Sequence, residues 1–169
     1  DIIEASGARI REVGTTNRTH LEDYKRAISA KTAMILVVHE SNYRVQGFTA
    51  SVELSKLVEV GRSAGIPVGH DLGGGVLVDL KKWGLPYEPV VAASLAVGVD
   101  LVTFSGDKVL GGPQCGIVAG SAEYVERIRT NPMMRALRCD KLILAGLEAT
   151  LRQYRQDPTD LPAAHPVLG

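Results

Sequence analysis

The chain has 169 residues, with 19 basic and 19 acidic side chains and a formal net charge of zero. That length fits one domain with a sizeable core. The charge balance excludes a general attraction to nucleic acid or to an anionic membrane surface, so any nucleic-acid contact must be local or made elsewhere in the protein. Because no apolar run is long enough to cross a bilayer and the N-terminus lacks signal-peptide features, we expect a soluble, cytoplasmic protein. The spacing of Cys115 and Cys139 predicts reduced thiols and no zinc site.

Strand and helix patterns alternate along the chain. Periodicity and end signals predict strands at residues 9–13, 33–38, 66–69, 101–104 and 116–120. Helices are predicted at residues 20–28, after a Thr19–Glu22 capping box, at 51–65 with Ser51 as cap, and at 90–97, 122–129 and 139–154. This alternation predicts an α/β fold, with a mostly parallel sheet and flanking helices. The continuous apolar run at 33–38 predicts a strand covered on both faces.

The two ends of the sequence predict a fragment. Residues 1–6 look like the last turns of a helix closed by Gly7, and no start signal precedes them. Residues 157–169 hold three of the eight prolines and are typical of a linker. We therefore expect this chain to be part of a larger protein.

Polar loops follow three of the predicted strands. They begin after Val38, Gly69 and Phe104, and they contain Asn42, Asp71 and Lys108, in that order. In α/β sheets, ligands bind outside the carboxyl ends of the strands. These three side chains are therefore predicted to share one site.

Lys108 is the first candidate for chemistry. It follows a buried strand in the run Ser105-Gly106-Asp107-Lys108, where partial desolvation would favour the neutral, nucleophilic amine. The hypothesis is that Lys108 holds pyridoxal 5′-phosphate (PLP) as a Schiff base. The alternative for this motif alone is a strand, a turn and a solvated lysine.

Neighbouring residues have the right chemistry for such a cofactor. Asp71 can face the pyridine nitrogen, or it can simply form a turn or cap. Ser105 can donate to the phosphate, or it can end the strand. Gly111 and Gly112 can offer N–H groups to an anion, or they can form a tight turn. Asn42 can bond the ring oxygen, or it can satisfy its own backbone.

Other charged side chains near these loops have two readings each. Asp107 can tune the lysine or shuttle a proton, or it can pair with a nearby cation. Arg135 and Arg138 share a face if their segment is helical, which suits a phosphate-like oxyanion, although a solvated basic face is the simpler reading. His39 and His70 can act as general bases, or they can be satisfied by backbone groups.

Several motifs in order carry a family resemblance. They are Val13-Gly14-Thr15-Thr16-Asn17-Arg18-Thr19, Ser41-Asn42-Tyr43, Gln46-Gly47-Phe48-Thr49, Asp71-Leu72-Gly73, Phe104-Ser105-Gly106-Asp107-Lys108, Leu110-Gly111-Gly112-Pro113-Gln114 and Arg135-Ala136-Leu137-Arg138 with Asp140-Lys141. The set resembles the bacterial selenocysteine synthases, the L-seryl-tRNA(Sec) selenium transferases. The resemblance implies an aspartate-aminotransferase-like fold. Residues 1–156 would form the C-terminal portion of its large PLP-binding domain, and residues 157–169 a linker towards a further domain.

The resemblance also implies a reaction. The seryl group of seryl-tRNA(Sec) would lose its α-proton and water to give an aminoacrylyl intermediate, and selenophosphate would supply selenium to form selenocysteinyl-tRNA(Sec). Matched by position, the resemblance implies Lys108 as the Schiff-base lysine, Asp71 as the partner of the ring nitrogen and Asp107 as an auxiliary carboxylate. It implies Arg135 and Arg138 as the anion site for the selenium donor. Arg18 and Arg44 are weaker candidates for the same anion site.

Family members form rings of dimers with active sites between subunits. The resemblance therefore implies a homo-oligomer in which Gly111 or Gly112 serves a neighbour's phosphate, with the tRNA-binding domain outside this chain. Two alternatives stay open. One is another PLP enzyme of the same fold, such as a cysteine desulfurase or a selenocysteine lyase, although Cys115 lies too close to the lysine loop for a mobile nucleophile. The other is a non-catalytic assembly module.

Overall fold

A four-stranded sheet organises the chain. The structure is a computed structural model that describes residues 2–41, 43 and 45–156. Its strands lie in the order β1 (Ile35–Val38), β2 (Val68–Gly73), β3 (Leu101–Ser105) and β4 (Gly116–Gly120). The first three are parallel, and β4 runs antiparallel to β3. The predicted α/β class with a mostly parallel sheet is confirmed.

The helices connect and flank these strands. The described helices are α1 (Ile2–Ala5), α2 (Leu21–Ala27), α3 (Leu54–Ala64), α4 (Val91–Val97), α5 (Ala122–Arg129), α6 (Met133–Leu137) and α7 (Lys141–Gln156), with a 3-10 turn at Leu80–Trp83. Helices α3 and α4 are the crossovers that parallel neighbours require. None of the helices in the described part of the chain is long and apolar enough to span a membrane.

Some predicted boundaries need correction. The capping pair of α2 is shifted by one residue, since the His20 N–H donates to Asp23 Oδ2 at 2.8 Å. Helix α3 begins after Glu53 rather than at a Ser51 cap. The strand predicted at residues 9–13 is wrong. That segment is mostly exposed and pairs with no strand, and a strand forms only where a partner takes up its backbone hydrogen bonds.

The hydrophobic core lies on one face of the sheet. Helices α2, α3 and α4 pack there, and the buried side chains are Ile35, Val58, Val68, Leu72, Val91, Val99, Val102, Phe104 and Leu110. The prediction that β1 is covered on both faces is wrong for this chain. Leu36 and Val38 point to the other face and are 44% and 60% exposed. The sheet therefore has one packed face and a second, open face, which is exposed at Leu36 and Val38 and covered at Leu101.

Candidate functional site

Four paired residues form a row across the open face. The sheet register joins Val38 to Asp71, Asp71 to Thr103, and Thr103 to Val118. Residues paired in register project to the same face of a sheet. Asp71 and Thr103 are therefore the polar centre of a row that is flanked by two exposed valines.

The Asp71 carboxylate is held by one of its two oxygens. Thr103 Oγ1 donates to Asp71 Oδ1 at 3.0 Å, and the Gly73 N–H makes a longer approach to the same atom at 3.4 Å. No hydrogen bond of the described residues ends on Oδ2. The half-buried carboxylate thus has one oxygen held by the sheet and one without a hydrogen-bond partner among the described residues.

The Lys108 amine lies beside the same strand end. A Cβ built on Gly73 would be 3.7 Å from Lys108 Nζ and 3.5 Å from Ser41 Oγ. Within the described part of the chain, the Lys108 side-chain amine forms no hydrogen bond or ion pair. Its side chain is exposed, so the partial desolvation predicted from the sequence is not present in this chain. Lys108 and Asp71 nevertheless converge on Gly73, while Asn42, the third residue of the predicted site, lies outside the described residues.

Contacts at two glycines position the turn that follows β3 and carries Lys108, residues 106–110, called the lysine turn below. The Leu110 N–H donates to the Gly74 carbonyl at 3.2 Å. Gly75 has φ +71°, and a Cβ there would lie 2.8 Å from both Phe104 Cδ2 and the Ser105 carbonyl oxygen. The backbone after β2 is therefore packed directly against the backbone after β3, and only glycine fits at that contact.

Helix α7 supports the same turn from the other end. The Tyr154 hydroxyl donates to the Leu110 carbonyl at 3.1 Å, and burial raises the pKa of Tyr154 to about 12. A Cβ on Gly146 would be 3.5 Å from the Pro113 ring, so helix and loop are in close contact. Sequence reasoning missed this support. The available signal was Gly146 itself, since a glycine inside a helix often marks close packing.

The remaining loop candidates lie at the end of β3 and in the turn that follows it. Ser105 is its last strand residue and is half-buried, while Asp107 is exposed in the turn. The Gly111 N–H donates to the Lys108 carbonyl at 2.9 Å, and the Gly112 N–H donates to the Gly106 carbonyl at 2.7 Å. Both amides are thus engaged in the tight turn that was the alternative to an anion nest.

The arginines are not brought onto one helix face. Arg135 lies in α6, but Arg138 follows the helix in extended backbone with ψ 134°. Both side chains are exposed, as is Arg18 in the turn at Thr15. No hydrogen bond or ion pair between described residues joins these three to the lysine turn. Two further candidates, Asn42 and Arg44, lie outside the described residues.

The two histidines near the strand ends have protein partners. His70 Nδ1 lies 3.0 Å from Ser94 Oγ on the core side of the sheet, and burial lowers the pKa of His70. His39 Nε2 lies 2.9 Å from Glu88 Oε2. These contacts favour the structural reading of both residues over a general-base role.

Sequence comparison decides the family. A sequence model of the family SelA, L-seryl-tRNA selenium transferase, matches residues 1–166. The chain belongs to this family. The L-seryl-tRNA(Sec) selenium transferase of Alkaliphilus metalliredigens is 55% identical over 159 residues, 94% of this chain and 34% of that protein. That of Haemophilus influenzae is 54% identical over 168 residues, 99% of this chain and 36% of that protein. The chain spans about a third of these selenium transferases.

Solved structures share the fold of this selenium transferase segment. D-Glucosaminate-6-phosphate ammonia-lyase superposes with a TM-score of 0.74 at 27% identity, covering 96% of this chain and 40% of the lyase. A putative aromatic amino acid beta-eliminating lyase/threonine aldolase from Exiguobacterium superposes with a TM-score of 0.58 at 20% identity, covering 85% and 39%. These neighbours have the aspartate-aminotransferase-like fold, which confirms the fold expected from the resemblance.

Proposed function

We propose that the complete protein containing this chain converts seryl-tRNA(Sec) to selenocysteinyl-tRNA(Sec), with selenophosphate as the selenium donor and PLP as the cofactor. The convergence of the Lys108 amine and the Asp71 carboxylate on Gly73 carries the proposal, in a chain that belongs to the selenium transferase family. PLP chemistry requires a lysine amine for the aldehyde and a carboxylate for the pyridine nitrogen, and these two groups lie at one strand end here.

The described residues fit the cofactor. The Lys108 side-chain amine has no hydrogen bond or ion pair with the rest of the described chain, and no hydrogen bond between described residues ends on Asp71 Oδ2. Gly73 lies beside both groups and has no side chain. When bound, PLP supplies an electron sink that stabilises negative charge at the substrate α-carbon.

Each residue then has a defined task. Lys108 would hold the cofactor through its amine and is the group at this strand end that would move the proton of the substrate α-carbon. Asp71 would pair with the ring nitrogen and favour its protonated form. Ser105 donates its hydroxyl to the phosphate, and Asp107 acts beside the lysine as an auxiliary carboxylate. Asn42 is proposed to bond the ring oxygen.

The selenium donor needs a separate anion site. Arg135, Arg138 and Arg18 present exposed guanidinium groups, which match the oxygens of a phosphate-like anion. Because Arg138 lies outside α6, its position relative to Arg135 is set by the α6–α7 connection and not by a helical repeat. Arg44 is proposed as a fourth contributor.

The larger assembly is part of the same proposal. Residues 1–156 would belong to the large PLP-binding domain, with residues 157–169 as a linker. The complete protein would be a homo-oligomeric ring of dimers that acts on its tRNA in the cytoplasm, with the tRNA-binding domain outside this chain. Gly111 or Gly112 would serve a neighbouring subunit's phosphate by sharing an N–H group that now donates within the turn.

Chemical trapping tests this function. We expect borohydride reduction of the complete protein with PLP, followed by peptide mapping, to place a pyridoxyl group on Lys108 and not on Lys141. A separate, unreduced sample of the complete protein with PLP should convert seryl-tRNA(Sec) to selenocysteinyl-tRNA(Sec) when selenophosphate is added. A pyridoxyl group on another lysine, or turnover of free cysteine without conversion of seryl-tRNA(Sec), would contradict the proposal.

The cysteine desulfurase alternative receives no support from Cys115. That thiol is half-buried, and burial raises its pKa, with Cys139 and Asp107 adding to the shift. A higher pKa reduces the thiolate fraction that nucleophilic attack on sulfur requires. Cys115, which packs against Gly106, is therefore poorly suited to that reaction.

A further inference from the structure

Thr103 contacts the carboxylate of Asp71 on the open face of the sheet. It lies in β3, paired in register with Asp71 of β2, and both side chains project to the open face of the sheet. Its Oγ1 donates to Asp71 Oδ1 at 3.0 Å. Because Thr103 and Asp71 are paired in register on neighbouring strands, this hydroxyl lies opposite the carboxylate.

This hydrogen bond decides which carboxylate oxygen of Asp71 is left for a ligand. A carboxylate attached to one methylene rotates easily unless one oxygen is held. The Thr103 hydroxyl holds Oδ1, and the Gly73 N–H approaches the same atom from the strand end at 3.4 Å. Oδ2 has no hydrogen-bond partner among the described residues, which leaves that atom for a ligand.

We infer that Thr103 is a positioning residue for the cofactor: its hydroxyl orients Asp71 so that Oδ2 meets the pyridine nitrogen. The inference rests on the proposed function. Thr103 itself touches neither substrate nor cofactor, and it acts only through Asp71. Its contribution is specific to a ring that carries a nitrogen, because that atom is the partner of Oδ2.

A cofactor analogue separates this role from a merely structural one. The 1-deaza analogue of PLP has carbon in place of the ring nitrogen, so Asp71 has nothing to pair with. The dissociation constants of PLP and of the analogue would be measured on the complete apo-protein, for the natural protein and for the variants Thr103→Val and Thr103→Ser. Valine keeps the size of threonine without the hydroxyl, and serine keeps the hydroxyl.

The expected result is a selective loss. Thr103→Val should bind PLP about tenfold more weakly, the scale of one hydrogen bond to a charged group, while its affinity for the analogue is unchanged. Thr103→Ser should restore discrimination between the two. As a spectroscopic check, the ¹⁵N shift of the labelled ring nitrogen should move towards the neutral value in Thr103→Val only.

Other outcomes overturn the inference in distinguishable ways. An equal loss of affinity for PLP and for the analogue would mean that Thr103 only supports the fold. No loss for either ligand would mean that Asp71 is oriented without it. If the natural protein fails to bind PLP, or binds it without preference over the analogue, the proposed cofactor site falls and this inference falls with it.

Discussion

Substitution of Gly75 by alanine tests whether direct backbone packing positions the lysine turn. Gly75 has φ +71°, and an added Cβ would stand 2.8 Å from both Phe104 Cδ2 and the Ser105 carbonyl oxygen. Gly84 offers a matched control, because its φ is +73° and nothing lies within 4 Å of its Cβ position. Both substitutions place an alanine at a positive φ, but only Gly75→Ala also adds a steric clash.

The expected losses of stability follow from the positive φ and from the steric clash. A left-handed conformation costs an alanine about 1 kcal/mol relative to glycine, so Gly84→Ala should lose about that much stability. Gly75→Ala adds an overpacking cost of about 1 to 3 kcal/mol, because its close neighbours are a buried ring and a backbone carbonyl. Its total loss should be about 2 to 4 kcal/mol.

Urea unfolding of the complete protein and titration with PLP measure both consequences. Because Gly75 contacts the carbonyl of Ser105, three residues before Lys108, Gly75→Ala should also weaken PLP binding, whereas Gly84→Ala should not. Equal destabilisation by the two variants, or a stable Gly75→Ala protein with unchanged PLP affinity, would refute the packing argument.

Two further predictions concern stability. Tyr154→Phe removes the hydrogen bond to the Leu110 carbonyl and should lower the free energy of unfolding by about 1 to 2 kcal/mol, measured in urea; an unchanged midpoint would contradict the support role of α7. For His70, burial lowers the folded-state pKa below the usual 6.5, so the unfolded chain binds the proton more readily. Stability should decline as pH falls below about 6.5, and His70→Gln should flatten that decline; identical pH profiles would count against it.

The parts of the fold that depend on local pattern were predictable from the sequence. Helix α5 and strand β4 have the predicted bounds, since periodicity and flanking glycines act within a few residues. The convergence of Asp71 and Lys108 was also predictable, because parallel strands place their carboxyl ends at one edge.

Features that depend on a partner segment were not predictable. Residues 9–13 alternate like a strand, but the described chain provides no neighbour for them, so they stay unpaired. The apolar β1 has only one covered face here, as Val38 is 60% exposed. The contact of Gly146 with Pro113 joins residues far apart in sequence, and neither has a local pattern that names its partner.

The end of β2 shows how one irregularity serves both faces of the sheet. The register shifts between Asp71 and Gly73, so Leu72 has no partner in β3. Leu72 is 2% exposed in the core, while Asp71 remains in register with Thr103 on the open face. Regular pairing would carry the strand onwards in the plane of the sheet. The bulge instead turns the chain at Gly73 towards the lysine turn, as bulges commonly do beside functional sites. Leu72 thus anchors the core, Asp71 stays beside Thr103, and Gly73 comes to lie next to the Lys108 amine.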